Sequence, residues 1–397
     1  MEREVAKDCP ACMVKPNYHI FTPQNTESIQ LQWQSCFNSF QQYLAANPLQ
    51  KAFMLRIFVS AGNADDFQQT AQMIKASFSG SQIPFSILAE APEKPWQVII
   101  EAGFADASQV EVAYGQAGTL NFCQLSVPGF SEYWLSGSEG GASHEGIRGS
   151  AAQAFARLKK ATDLLQLKFD HLVRQWNYVE QIFGFQQLNS KNRQHYQLFN
   201  EVRSEYYSNH RSRCDFPAAT GIGVDQNGVT IECMLMKGNS KLKVIPISNP
   251  KQLNSYKYGQ TVLKGDPANQ RKANQVPQFE RAKLVTNGRS SRVFVSGTAS
   301  IVGQETIGPG DVEKQTRTTI DNMELLTSKM NLKSHCPELT VYPEKYAYVR
   351  VYVKEEKDIP KVKSICREHF GHVPITFVKA DICRADLLVE IEAEKIS

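Results

Sequence analysis

Glu390 sits inside an apolar, β-branched run, Leu387-Leu388-Val389-Glu390-Ile391, whose pattern predicts a buried strand. Burying a carboxylate without a partner costs roughly 2–7 kcal/mol, so such a group is paired or neutral. Burial also raises its pKa and makes it a proton donor near neutral pH. Glu392 lies two residues on, on the same face of the strand, so a solvated acidic face is the competing reading. Cys383 precedes Glu390 by seven residues and is either a functional residue or a small buried hydrophobe.

The elements around this strand recur. Val349-Arg350-Val351-Tyr352-Val353, a helix-like segment to about Phe370 and the Glu390 strand form one set. Leu55-Arg56-Ile57-Phe58-Val59, a helix over Asp66–Phe78 and Val98-Ile99-Ile100-Glu101-Ala102 form a second. Val173 to Tyr178, a helix through Phe199 and Tyr206, and Val229-Thr230-Ile231-Glu232-Cys233 form a third. The spacing is too long for a solenoid and predicts three related α+β units. Aligned on the last strand, Glu392 matches Glu232 and Glu101, which marks a shared architectural position. Glu390 matches Thr230 and Ile99, and Cys383 matches Gly223 and Pro92. The repeated frame therefore accounts for neither Glu390 nor Cys383.

The expected divisions are a tail over 1–27, an incomplete first unit over 28–104, a second over 105–250 and a third over 251–397. Within the second unit, strands are expected at Val110–Tyr114 and Leu120–Val127, a Gly/Ser-rich loop through Ser150, and a helix over Ala151–Phe169. In the third, Asp311 is the expected N-cap of a helix over Val312–Lys329. Lys251–Gln275 reads as a loop.

The chain has 397 residues, 42% hydrophobic and 21% charged, which is ordinary for a globular protein. A net charge of +4 is too balanced to argue for nucleic acid or a membrane surface as the partner. No apolar run has transmembrane length, and the polar start lacks a signal core, which points to the cytoplasm. The nine scattered cysteines then read as free thiols. Cys9-Pro10-Ala11-Cys12 is a lone CxxC without a second pair, so no metal site is expected.

Val295-Ser296-Gly297-Thr298-Ala299, Gly310-Asp311-Val312 with Gln315-Thr316-Arg317, and Val389-Glu390-Ile391-Glu392-Ala393 together resemble the RidA/YjgF superfamily. The resemblance implies chorismate-mutase-like α+β units, with three in one chain forming a pseudo-trimer and sites between neighbours. Within the superfamily the chain resembles the chorismatase family more than the imine deaminases. Ile375 stands fifteen residues before Glu390, where the deaminases carry a carboxylate-binding arginine. The chorismatase-like signals are Asp381-Ile382-Cys383-Arg384 with the strand that follows, Trp176-Asn177-Tyr178, Pro217-Ala218-Ala219, Tyr258-Gly259, and Phe279 with Arg281-Ala282.

That resemblance implies removal of pyruvate from chorismate, a dicarboxylate, with Glu390 protonating the enolpyruvyl methylene. Gly297 and Cys383 match the subtype that makes 3-hydroxybenzoate. Arg281 falls where the family places a carboxylate-binding arginine, although an ordinary ion pair would also explain it. Tyr258 is either a hydrogen-bond donor to substrate or a packing tyrosine. Gly297 and Ala299 complete the substrate-binding set. Neither metal nor organic cofactor is implied, and the expected assembly is a monomer or low-order homo-oligomer in aromatic secondary metabolism. One stretch departs from the family: the link Gln260–Gln278 is longer and rich in Lys, Asn and Gln, and Lys257 replaces the usual arginine. A non-catalytic metabolite binder and an imine deaminase are the alternative readings.

Overall fold

A computed structural model describes residues 12–141, 143–188, 191–260, 263 and 274–397. The fold is mixed α+β, with three main sheets that each carry helices on one face.

The first sheet has the order Asn17–Phe21, Val98–Asp106, Gln50–Val59, Phe85–Leu88. Helices α1 (Ile29–Ala46) and α2 (Ala64–Ser77) cover it through Trp33, Phe40, Phe67 and Ile74. The second sheet runs Ala218–Val224, Leu172–Glu180, Val229–Gly238, Phe130–Glu139, Leu120–Val127, Glu111–Ala117. Helices α3 (Gly146–Leu164) and α4 (His195–His210) cover that one. The third runs Lys243–Ile247, Ala282–Thr286, Ser291–Ala299, Val389–Ile396, Lys345–Val353, Ile375–Lys379, with Ala91–Pro92 on its edge. It is covered by α5 (Val312–Thr327), α6 (Lys329–His335) and α7 (Ile359–Phe370). The other faces of all three sheets share one core, to which Phe53, Trp134, Trp176, Phe294, Tyr348 and Tyr352 contribute. A sheet apolar on both faces needs this second partner, and it explains the continuous rather than alternating apolar strands. Among the described residues no helix is long and apolar enough to cross a membrane.

The sheets repeat one register. Arg56 pairs with Glu101 and with Ser86 on its other side. Trp176 pairs in the same way with Glu232 and Thr220, and Arg350 with Glu392 and Thr376. These side chains point into the shared core and meet there. Five ion pairs link them in series: Glu232 to Arg56, Arg56 to Glu101, Glu101 to Arg350, Arg350 to Glu392, and Glu392 to Arg174. Every member is at most 2% exposed. The middle sheet carries Trp176 where the others carry arginine, and the Arg56 and Arg174 guanidinium groups lie 4.2 and 4.6 Å from its ring centre.

Several expected boundaries move. Residues expected in the 1–27 tail include an edge strand, Asn17–Phe21, antiparallel to Val98–Asp106. It is held because Tyr18 and Phe21 are buried and the Tyr18 hydroxyl donates to Glu394 at 2.9 Å. Lys243–Ile247, expected in the second unit, pairs with Ala282–Thr286 and so belongs to the third sheet. Helix α3 begins inside the expected Gly/Ser loop and ends near Leu165, because Gln166 takes a left-handed φ of 55°. The strand expected at Val110–Tyr114 runs instead over Glu111–Ala117. At α5 the Asp311 side chain accepts from the Lys314 amide at 3.0 Å, the predicted N-cap. Cys9 and most of the 260–278 link lie outside the described residues; Cys12 is exposed.

Candidate active site

Glu390 lies on the central strand of the third sheet, between Ala299 on one neighbour and Tyr352 on the other. It is 4% exposed. The strand Ser291–Ala299 breaks register between Val295 and Thr298, leaving Ser296 and Gly297 in a bulge. The bulge lets Gly297 lie directly over the carboxyl group. A Cβ at Gly297 would sit 1.9 Å from Glu390 Oε1, so only a residue without a side chain leaves that space free.

The opposite wall comes from the second sheet. Its edge strand Ala218–Val224 is attached to third-sheet segments at two points. Glu280 bridges Ala218 and its amide donates to the Pro217 carbonyl at 3.0 Å. Further along, Ile382 bridges Ile222, and the Gly223 amide donates to the Asp381 carbonyl at 2.8 Å. Between these attachments Thr220 and Gly221 face a cavity. Tyr196, Gln197, Asn200 and Arg203 of α4 form its side, and Phe279 and Pro277 close it. Glu390, Cys383, Arg281, Tyr258, Gly297 and Ala299 all line it, so six residues proposed from sequence converge on one place.

Among the described residues, three arginines reach the cavity against one carboxyl group. Arg281 donates through Nη2 to the Leu253 carbonyl and the Tyr258 hydroxyl, each at 2.5 Å. Its Nε is buried without a partner among the described residues. Arg384 donates through Nη1 to the Gln304 carbonyl at 2.6 Å, and its Nη2 has no partner among the described residues. Arg203 on α4 bonds Asn200 Oδ1 at 2.6 Å, and its Nε has no partner among the described residues. Gln197 Nε2 is a fourth donor without a partner among the described residues. Buried donors normally find acceptors, so this group of donors lining one cavity could receive an anionic ligand. Tyr258 is buried with the Arg384 and Arg281 guanidinium groups 4.9 and 5.6 Å from its ring centre. Its hydroxyl accepts from Arg281, so it fixes that cation as well as lining the cavity.

Burial pushes the Glu390 carboxyl up to about 8, the nearby Glu392 carboxylate adds to this, and Arg174 and Arg281 oppose it. Its carboxyl group is therefore largely protonated at neutral pH and faces an enclosed, cationic space. Burial, reinforced by Glu390, pushes the half-buried Cys383 thiol up to about 12. Cys383 is thus a neutral thiol rather than a thiolate nucleophile. Arg203, Gln197 and Tyr196 were not singled out from sequence. They sit on an ordinary amphipathic helix, and only the meeting of two sheets turns that helix face inward. Arg384 stood inside a motif already noted, next to Cys383, and adjacency was the signal available there.

With this geometry in hand, comparison with known proteins is direct. A family profile described as chorismatase FkbO/Hyg5-like, N-terminal, matches residues 99–235. A 3-hydroxybenzoate synthase of Streptomyces hygroscopicus is 31% identical over 287 residues, covering 71% of this chain and 75% of the relative. The chain belongs to the chorismatase family. A chorismatase of the same organism is 29% identical over 258 residues, covering 64% of this chain and 70% of its own. A chorismatase crystal structure at 1.08 Å superposes with a TM-score of 0.66 at 21% identity, over 96% of this chain and 98% of that one, and shares the fold.

Proposed function

We propose that this protein converts chorismate to 3-hydroxybenzoate and pyruvate. The observation that carries the reading is the pairing of one protonated carboxyl group with unmatched arginine donors in a single cavity. Chorismate is a dianion with an enolpyruvyl ether, and it needs cationic recognition at its carboxylates and an acid at its methylene carbon. Arg281 serves as a carboxylate clamp, and Arg384 and Arg203 supply the remaining positive charge. Gly297 and Ala299 shape the wall beside the acid. The names of the relatives support the same reaction class.

In this mechanism Glu390 gives its proton to the methylene carbon, which becomes the methyl group of pyruvate. The ether carbon takes on oxocarbenium character. The neighbouring ring hydroxyl displaces the ether oxygen, whose bond to the ring breaks with both electrons staying on the departing pyruvate. The hydroxyl proton returns to the Glu390 carboxylate, and the ring intermediate isomerises to the aromatic product. The two products contain every atom of the substrate. Cys383, as a neutral thiol beside Glu390, shapes the face of the ring on which displacement occurs.

Incubating the purified protein with chorismate and separating the products tests this. Pyruvate with 3-hydroxybenzoate is the expected result. Pyruvate with a dihydrodiol would keep the acid role and overturn the subtype roles of Gly297 and Cys383. Intact chorismate would favour a non-catalytic metabolite binder. An imine deaminase is disfavoured because Ile375 packs in the helix-covered core of the third sheet rather than lining the cavity.

The repeated register supports reading the three sheets as RidA-like units forming a pseudo-trimer in one chain. On this reading the units keep the approximate spans 28–104, 105–250 and 251–397, with Asn17–Phe21 added to the first and Lys243–Ile247 moved to the third. The balanced charge fits a small-molecule enzyme of the cytoplasm without a nucleic-acid partner, acting as a monomer or low-order homo-oligomer.

A further inference from the structure

Glu392 occupies the position that recurs in all three sheets, and its counterparts Glu101 and Glu232 are flanked two residues earlier by Ile99 and Thr230. Only in the third sheet does that flanking position hold an ionisable side chain, Glu390. Side chains two apart on a strand share a face, so these two carboxyl groups are close neighbours in a buried space that screens charge poorly.

Glu392 is fully buried and heavily anchored. Its Oε2 accepts from Arg174 Nη2 at 2.7 Å and from the Thr220 hydroxyl. Its Oε1 accepts from Trp176 Nε1 at 2.8 Å and from Arg350 Nη1. Four donors, two of them cationic, hold it as an anion and keep its carboxyl below the usual range despite burial. Three of the four come from the second sheet. Thr220 also accepts the Gly297 amide at 3.0 Å and bonds Arg174 at 2.6 Å, so one hydroxyl ties this anion to the bulge above Glu390. The other groups around Glu390 are Arg174 from the second sheet, Tyr196 and Arg203 from α4, and Tyr258, Arg281, Cys383 and Arg384 from third-sheet segments.

We propose that Glu392 is a positioning residue for the reaction: its fixed negative charge keeps the neighbouring Glu390 in the acid form, and Arg174 limits the size of that effect. The proposal rests on Glu390 being the proton donor. It gives the recurring glutamate a second use in the one sheet that carries the acid.

The experiment combines the pH profile of pyruvate release with infrared titration of the Glu390 carboxylic C=O band, taken as the difference from Glu390→Gln. A proton donor must be protonated, so kcat falls as pH rises through the Glu390 pKa. Glu392→Gln removes the anion and leaves Arg174 facing Glu390. Both the alkaline limb and the loss of the C=O band then move to lower pH, by roughly one pH unit or more. Arg174→Gln removes a cation and leaves Glu392 held by Arg350, Trp176 and Thr220, so both move to higher pH. A purely architectural role would lower kcat at every pH with neither limb nor band displaced, and that result would overturn the proposal. If Glu392→Gln does not fold, Glu392→Asp decides: setting the same charge back from Glu390 must move limb and band to lower pH, and an unmoved or alkaline-shifted band refutes the coupling. The infrared titration needs no turnover, so it reads the coupling whatever the substrate. A C=O band absent at every pH would instead defeat the reading of Glu390 as an acid.

Discussion

At the scale of the residue, the proposed acid Glu390 would join stability to chemistry. Its carboxyl rises from the ordinary carboxylate range to about 8 on folding. The unfolded chain ionises it at about pH 4.3, so the folded state is penalised progressively above that value and fully above about 8. The stabilising contribution is thus present in acid and lost as pH rises through the folded value. Every tenfold change in an acid constant between the two states corresponds to about 1.4 kcal/mol, which puts the penalty at about 3–5 kcal/mol. Glu390→Gln removes it. The variant is expected to abolish pyruvate release, to fold, and to gain stability relative to the parent between about pH 5 and 8.5 in urea titrations. A stability difference that does not change with pH would refute the rise on burial.

At the scale of the element, the bulge at Ser296–Gly297 is what makes room for the Glu390 carboxyl, the proposed acid. Gly297→Ala would put a methyl group where Glu390 Oε1 now lies. The obstructed atom is the end of a flexible side chain, so the fold should survive while the carboxyl turns away. We expect pyruvate release to fall at least about tenfold with a melting temperature within a few degrees of the parent. A fully active variant would mean that the carboxyl acts from elsewhere. The strand carrying Glu390 was legible in the sequence because a charged residue in a β-branched run is a local anomaly. The N-cap at Asp311 was legible because capping is also local. The strand Asn17–Phe21 was not, since part of what holds it is distant: Tyr18 donates to Glu394, 376 residues away. Arg203 and Gln197 were hidden for the same reason: their helix reads as an ordinary cover, and the seam that turns them inward is a tertiary fact.

At the scale of the whole molecule, the five serial ion pairs stitch three sheets through their shared core. Buried pairs are costly to break one-sidedly, because the surviving partner stays buried and uncompensated. Arg56→Met is predicted to destabilise the protein by about 3–5 kcal/mol, read from the denaturant midpoint. Glu101 would retain Arg350, but Glu232 would lose its ion pair with Arg56. A loss below about 1 kcal/mol would show that the series is not continuous. Its register was visible in the sequence as the recurring Glu101, Glu232 and Glu392. The substitution of Trp176 for arginine in the middle sheet, with Arg174 supplying the charge from two residues away, was not.

The same series sets an order of events during synthesis. Glu101 is made 249 residues before Arg350, its second cation, and Arg56 is made 176 residues before Glu232. Until the later strands are made, the first sheet holds the Arg56–Glu101 pair without the second partner of either member. Contacts this distant in sequence form late and slowly. The proposed acid, Glu390, lies in the sheet made last, so on the proposed mechanism the chemistry waits for the strand that also supplies Glu392 to the series.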